Sequence, residues 1–261
     1  MSEHTTDAAA PVQPRPPVSF DRIADRYDET RGGAKRGAEM LADIQPWLRP
    51  GPVLEVGVGT GLVAAALVAA GTPTLGVDLS PRMAARARGR LGARVAVGDA
   101  RRLPVRSAGV ANVLFVWALH VVGDVTAALA EASRVVPGGG RVIALHGAPR
   151  PDHTDISDAL APIDAGPRRV RTDTDEALAT AGAAAGLTLI HNGPTLPYPL
   201  SRSPNQVAEL IEERVWSYLW RLDGAQWQAR VVPALAALRA LPEPDRPRPF
   251  NQQHRVSVFT V

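Results

Sequence analysis

Val53-Leu54-Glu55-Val56-Gly57-Val58-Gly59-Thr60-Gly61 runs a short β-branched segment into a turn with glycine at every second position. An apolar, helix-like segment, Leu62 to Ala70, follows at once. Glycine at a strand-to-helix turn permits positive φ and lets a ligand approach bare backbone. Free N–H groups at the start of the helix add partial positive charge. The turn is suited to hold something flat, polar or anionic against main chain.

Working outward, short apolar runs alternate with helical patterns. Strands are expected at Val53–Val56, Pro73–Val77, Arg94–Val97, Val110–Trp117 and Arg141–Leu145, with helices near Leu62–Ala70, Pro81–Leu91 and Val125–Val135 between them. Unbroken apolar strands suit a parallel sheet covered on both faces. Ser80-Pro81 is a helix start, with serine as N-cap and proline at the first helical position. The pattern is that of a doubly wound α/β domain. Before it, Phe20, Ile23, Ala24 and Tyr27 fall at helical spacing, and a second helix is expected over Lys35 to Trp47, stopped by Pro46 and Pro50. After it, residues 148–172 turn polar and proline-containing, and a helix over Asp173–Gly186 leads to a strand over Leu187–His191. Two further helices, Pro204–Leu222 and Ala225–Leu241, read as a cap inserted before a last strand at Val256–Val261. The expected organisation is a disordered tail over 1–18, lid helices over 19–50, and one domain over 51–261 whose cap covers about 197–250.

With 261 residues, 45% of them hydrophobic and 21% charged, the chain is long and apolar enough for a sizeable core. There is no cysteine, which excludes disulfides, thiolate metal sites and cysteine nucleophiles; no metal is expected. The longest apolar run falls short of a bilayer span, and Glu3 and Asp7 with no apolar stretch argue against a secretory leader. A cytoplasmic setting without membrane insertion is expected. The net charge is +3, and Lys35 is the only lysine among 29 basic residues. Arg82, Arg86 and Arg90 form one helical stripe and Arg168, Arg169 and Arg171 a loop cluster. Both read as solvated faces rather than a nucleic-acid surface, because acidic residues nearly balance them.

In such a sheet, ligands lie beyond the carboxyl ends of the central strands. Glu55 and Gly57, Asp78, and Asp99 end the first, second and third strands. An acid at the second tip suits a ribose, and Asp78 follows Gly57 at nucleoside-site spacing. Asp99 can accept from an exocyclic amine of adenine. A dinucleotide fingerprint would put glycine at 62; this chain has Leu62, which disfavours a nicotinamide cofactor.

Leu54 to Gly61, Gly76-Val77-Asp78-Leu79-Ser80, Gly98-Asp99-Ala100 with Leu103-Pro104, Ala118-Leu119-His120, Val135 to Gly139, and Phe20-Asp21 through Tyr27-Asp28 together resemble the class I S-adenosylmethionine-dependent methyltransferases. Within them the chain is similar to the small-molecule branch of ubiquinone and menaquinone methyltransferases, of the methyltransferase type 11 kind. The resemblance covers roughly residues 20 to 147, with an antiparallel last strand beyond. It implies a Rossmann-like, mostly parallel seven-stranded sheet with the helical insertion before that strand. It also implies S-adenosylmethionine as cofactor and methyl transfer to an oxygen, nitrogen or carbon of a small molecule.

By the same resemblance Gly57 and Gly59 contact the methionine portion and Glu55 helps hold its amino group. Asp78 binds the ribose, Leu79 lies against adenine, and Asp99 with Ala100 meets its amine. Phe115, Val116 and Trp117 line the floor and Tyr27 closes the lid. For the acceptor, Trp117, His120, Trp216 and Trp220 are the candidate wall, with His120 also a candidate general base and His146 a more remote one. Methyl transfer from a sulfonium needs a positioned nucleophile more than a base. A nicotinamide-dependent oxidoreductase and a non-catalytic S-adenosylmethionine-binding module are the alternatives. The acceptor's identity and the oligomeric state stay open.

Overall fold

In the computed structural model, which describes residues 20–31, 33–151, 153–164 and 171–261, the glycine turn sits at the centre of a mixed sheet. The tail expected over 1–18, and Arg168 and Arg169 of the basic cluster, lie outside the described residues. Val53–Val56 (β1), Thr74–Asp78 (β2), Val95–Val97 (β3), Asn112–Val116 (β4) and Arg141–Pro151 (β5) pair in parallel. Thr188–Pro194 (β6) and Tyr198–Arg202 (β7) each pair antiparallel with the long last strand Arg248–Thr260 (β8). The order is β3-β2-β1-β4-β5-β8-β6, with β7 added on β8. β8 is also antiparallel to β5, as the resemblance implied.

The helices of the described residues are Tyr27–Arg31 (α1), Gly33–Ile44 (α2), Leu62–Ala69 (α3), Pro81–Leu91 (α4), Val125–Val135 (α5), Asp155–Asp164 (α6), Asp175–Ala184 (α7), Pro204–Glu212 (α8), Gly224–Gln226 (α9) and Val232–Arg239 (α10). Two apolar layers sandwich the sheet. Val113 and Phe115 of β4 pack with Ala128, Leu129 and Ala132 of α5. Leu114, the residue between them, packs with Met40 and Ile44 of α2 and Leu67 of α3. Alternation along a strand sends neighbours to opposite faces, so one short run serves both layers. α4 begins where the sequence placed it, with Ser80 Oγ accepting the Met83 N–H at 3.0 Å.

The seven-strand path is as expected, and Tyr198–Arg202 adds an eighth strand by pairing with Arg248–Gln252. Its proline and polar residues hide the strand pattern, and proline is tolerated at such an edge. Residues 148–172, read as irregular, contain α6, which buries Ile156 and Ala159 against Val207, Ala208 and Leu235. The helix expected over Pro204–Leu222 stops at Glu212, where Arg214 takes φ +52°, and resumes as a 3₁₀ turn over Ser217–Arg221. Val207, Ile211, Val215 and Leu219 are buried along this segment, whereas Tyr218 is 52% exposed.

α2 reaches the sheet by passing close to α3. A Cβ built on Gly37 would lie 2.6 Å from the Leu62 carbonyl oxygen, a backbone atom that cannot swing aside. Gly37→Val is expected to lower Tm by about 2–12 °C in a thermal melt, since overpacking costs roughly 1–3 kcal/mol and each kcal/mol is about 2–4 °C in a domain of this size. An unchanged Tm would contradict this packing.

Candidate functional site

The backbone after β1 is drawn against the tip of β2. The N–H groups of Gly57 and Val58 donate to Val77 O at 2.7 and 3.0 Å. Gly57 (φ +73°) and Gly59 (φ +57°) both occupy the left-handed region that excludes most side chains. Their surroundings differ. A Cβ on Gly57 would collide with Ala118 Cβ at 2.6 Å, so this glycine lets the turn after β4 close in. A Cβ on Gly59 would meet nothing within 4 Å, so bare main chain there faces open space.

Asp78 ties the two loops together. Its Oδ2 accepts the Gly59 N–H at 2.7 Å and its Oδ1 accepts the Ser80 N–H at 2.8 Å. Burial raises its pKa, and those two backbone donors oppose the rise. Asp99, at the end of the third strand's loop, is held by Arg101, whose Nη2 lies 2.6 Å from Oδ2 and whose Nε lies 3.0 Å from Oδ1. That guanidinium keeps the Asp99 carboxyl below the usual range. Each Asp78 oxygen keeps a further lone pair for a ligand.

Both acids line one cleft whose non-atom space, open mouth included, is about 820 Å³. Tyr27, Gly57, Gly59, Leu79, Ala100, Val116 and Trp117, all expected there, line it with them. Phe20, Met83, Arg101 and Val121 line it too and were not assigned to the site from sequence. The Asp99-x-Arg101 spacing was the available sign for Arg101.

Glu55 lies beneath the turn, not on the cleft wall. It is 2% exposed, and its Oε2 has no hydrogen-bond partner. Burial pushes its pKa up to about 8, opposed by the Ala64 N–H and reinforced by the charge of Asp78. A buried carboxyl with an unfilled oxygen, under bare glycine backbone, fits a cationic amine arriving above it.

Other expected residues sit elsewhere. Phe115 does not reach the cleft: strand alternation places its ring in the α5 layer, fully buried, while Val116 at the strand tip reaches it. His120 lies in the turn Leu119–Val121; Ala118, just before the turn, and Val121 line the cleft, and three-residue periodicity puts His120 on another side. Trp220 packs on Phe20 at 5.0 Å between ring centres and Trp216 stacks on Tyr218 at 6.0 Å, so neither lines the cleft. The break after Glu212 removes the helical face that was to align them. His146 is buried as a fastener, its ring within 2.8 Å of Asp173 O and 2.7 Å of Ser257 Oγ.

The arginine stripe of α4 faces the N-terminal segment rather than solvent alone. Asp25 meets Arg82 and Arg86 at 2.5 and 2.6 Å, and Asp28 meets Arg90 at 2.5 Å. Asp21 accepts from Ser80 Oγ. These contacts hold Phe20 and Tyr27 at the cleft. Such exposed pairs are weak and are screened by salt. Arg82→Glu with Arg86→Glu is therefore expected to raise the dissociation rate of a cleft ligand by only about three- to tenfold in stopped-flow fluorescence. No change at low salt would detach these pairs from the cleft.

Residues 54–144 match the family described as a methyltransferase domain. The chain is 31% identical over 140 residues to the demethylmenaquinone methyltransferase of Tropheryma whipplei, covering 48% of this chain and 55% of that protein. It thus spans about half the length of the curated relatives it matches. Among solved structures it resembles an S-adenosylmethionine-dependent methyltransferase of Thermotoga maritima (TM-score 0.53, 20% identity, 92% of this chain and 97% of that one). It also resembles Haemonchus contortus phosphoethanolamine N-methyltransferase 2, solved with phosphomonomethylethanolamine and S-adenosylhomocysteine (TM-score 0.51, 17% identity, 92% of this chain and 57% of that one). At such identities a structural likeness carries the fold alone. The matched segment makes residues 54–144 a methyltransferase domain, and the fold around it is like that of the S-adenosylmethionine-dependent methyltransferases.

Proposed function

We propose that the chain transfers the methyl group of S-adenosylmethionine to a nucleophilic oxygen, nitrogen or carbon of a small-molecule acceptor. One observation carries the reading: Asp78 and Asp99, from successive strand tips, share one cleft with the bare backbone of Gly59. When bound, the cofactor supplies an electrophilic methyl group on a sulfonium. Asp78 accepts from the ribose hydroxyls while bracing the glycine turn, and Asp99 accepts from the adenine amine beside Leu79 and Ala100. Glu55 balances the amino group from beneath. Val116 and Trp117 form the floor, and Phe20 and Tyr27 cover the opening and exclude water.

Residues 19–50 act as the lid in this reading, 51–261 as the catalytic domain, and about 197–250 as a cap. Trp220 supports the cap's role from a second layer, through Phe20. His120 is left without a proton-transfer duty, since positioning carries most of the rate for displacement at a sulfonium. The engagement of the arginine stripe with acidic residues favours a small acceptor over nucleic acid. No helix of the described residues is long and apolar enough to cross a membrane, and the proposed setting is cytoplasmic.

Isothermal titration calorimetry with S-adenosylhomocysteine, followed by a labelled-methyl assay over metabolite extracts, tests the reading. Micromolar-range binding and a labelled small product are expected. Folded protein that binds no S-adenosylhomocysteine would reject it, and binding without any labelled product would favour the non-catalytic module.

A further inference from the structure

Beside Trp117, at the carboxyl ends of β4 and β5, Arg36, Tyr198 and His254 form a cluster that cofactor binding does not use. Arg36, on α2, lies with its guanidinium carbon 4.4 Å from the centre of the Trp117 ring and 5.4 Å from that of Tyr198. The Trp117 indole N–H donates to His254 Nδ1 at 3.2 Å. An indole nitrogen can only donate, so Nδ1 accepts, and a neutral imidazole then carries its proton on Nε2. Burial and the nearby charge of Arg36 hold the His254 pKa down to about 3, which keeps the ring neutral. In the other tautomer Nε2 accepts from Arg36 Nη2, 3.3 Å away, so a neutral ring serves only one of these two donors.

Among the described residues no carboxylate pairs with that cation, although the charges of Glu39 and Asp43 reach the neighbouring Tyr198. Of the acids on its own helix, Glu39 lies 3.9 Å from Lys35 Nζ, and Asp43 accepts the Leu196 N–H at 3.0 Å. Among the described residues Arg36 enters no ion pair. Tyr198, only 6% exposed, has a hydroxyl without a hydrogen-bond partner. Burial raises that phenol to about 12, so it keeps its proton and stands as a donor. The half-buried guanidinium and the buried hydroxyl thus sit side by side, and the phenolic O–H has no acceptor, which is costly unless one arrives. Trp117 itself, on the cleft wall, holds φ +48°, a strained conformation for a bulky residue and one that clusters at functional sites.

We infer that Arg36 and Tyr198 form an anion-binding subsite for the methyl acceptor, which is an apolar small molecule bearing a carboxylate or phosphate group. The inference rests on the proposed methyl transfer and names its substrate class. A guanidinium fork matches the paired oxygens of either anion, and the phenolic O–H adds a third donor. The Trp117 ring, with the cleft on its wall and Arg36 against its face, offers the acceptor's apolar body a surface leading to the anion.

The test titrates the full chain with benzoate, phenyl phosphate and benzamide, with and without S-adenosylhomocysteine, reading tryptophan fluorescence and heat. At least one anion is expected to bind about tenfold or more tightly than neutral benzamide, the range for a charge-assisted hydrogen bond. The stronger of the two tells carboxylate from phosphate. Arg36→Met should bring anion binding down to the benzamide level, and the isosteric Tyr198→Phe should weaken it about three- to tenfold. Both variants should keep S-adenosylhomocysteine affinity within about threefold. Equal binding of anions and benzamide, or undiminished anion binding in folded Tyr198→Phe and Arg36→Met, overturns the subsite. Loss of S-adenosylhomocysteine binding sinks the methyl-transfer reading instead, and the cofactor-free titration then measures the subsite on its own.

Discussion

Asp78→Ala is expected to weaken S-adenosylhomocysteine binding about a hundredfold or more in calorimetry, equivalent to about 3 kcal/mol. Two losses add. The ribose hydroxyls lose an ionised acceptor, and hydrogen bonds to charged groups are worth roughly 1.5–3 kcal/mol each. The N–H groups of Gly59 and Ser80 lose the oxygens that hold them at 2.7 and 2.8 Å, so the turn itself is no longer fixed. Asp78→Asn separates the two, because its amide keeps one accepting oxygen and turns the other position into a donor. It should fall between alanine and the wild type. Asp99→Ala, at a more exposed carboxylate already shared with Arg101, should cost only about tenfold. Folded Asp78→Ala that binds within threefold of wild type would remove the ribose assignment.

Glu55 should make cofactor binding depend on pH. With its pKa at about 8, the carboxyl is mostly protonated in the ligand-free protein at neutral pH. A cationic amine placed above it favours the carboxylate, so binding expels a proton. Affinity should therefore rise with pH, by up to about tenfold per unit, until about pH 8. Calorimetry in buffers of different ionisation heat should report the released proton directly. Glu55→Gln should flatten the profile and lower affinity at pH 8 by about thirtyfold, the scale of one buried charge contact. The same residue acts on stability with a definite sign. Its folded pKa lies above the ordinary 4.5, so its contribution is fully present below about pH 4.5 and is lost as pH rises through about 8. Burial moves His254 in the opposite direction, down to about 3, so its contribution is lost as pH falls below its ordinary 6.5. The difference between Glu55→Gln and wild type isolates the first effect. A pH-independent affinity in the wild-type protein would mean that no cation settles over Glu55.

Local chemistry was enough for the parts of this protein that depend on neighbours in sequence. The β1 run, the Ser80-Pro81 start of α4 and the bounds of α5 follow from β-branching, capping and apolar periodicity within a dozen residues. Asp78 and Asp99 could be assigned to one cleft because parallel strands bring their carboxyl ends to the same edge, whatever lies elsewhere in the chain. β7 and α6 escaped because proline and polar residues blur their pattern, and because each is stabilised by a distant partner, β8 in one case and α8 with α10 in the other. The destinations of long side chains escaped for the same reason. Whether Phe115 or Val116 reaches the cleft is decided by which face of the sheet α5 covers, and whether Trp220 meets Phe20 by a helix break at Arg214. Arg36, Tyr198, His254 and Trp117 lie on three elements and the turn after β4, spread over more than 200 positions, and no spacing rule joins them. The sequence by itself determined the sheet's central strands and the acids at their tips. Tertiary packing alone decided what surrounds them, because each side chain's surroundings depend on contacts far along the chain.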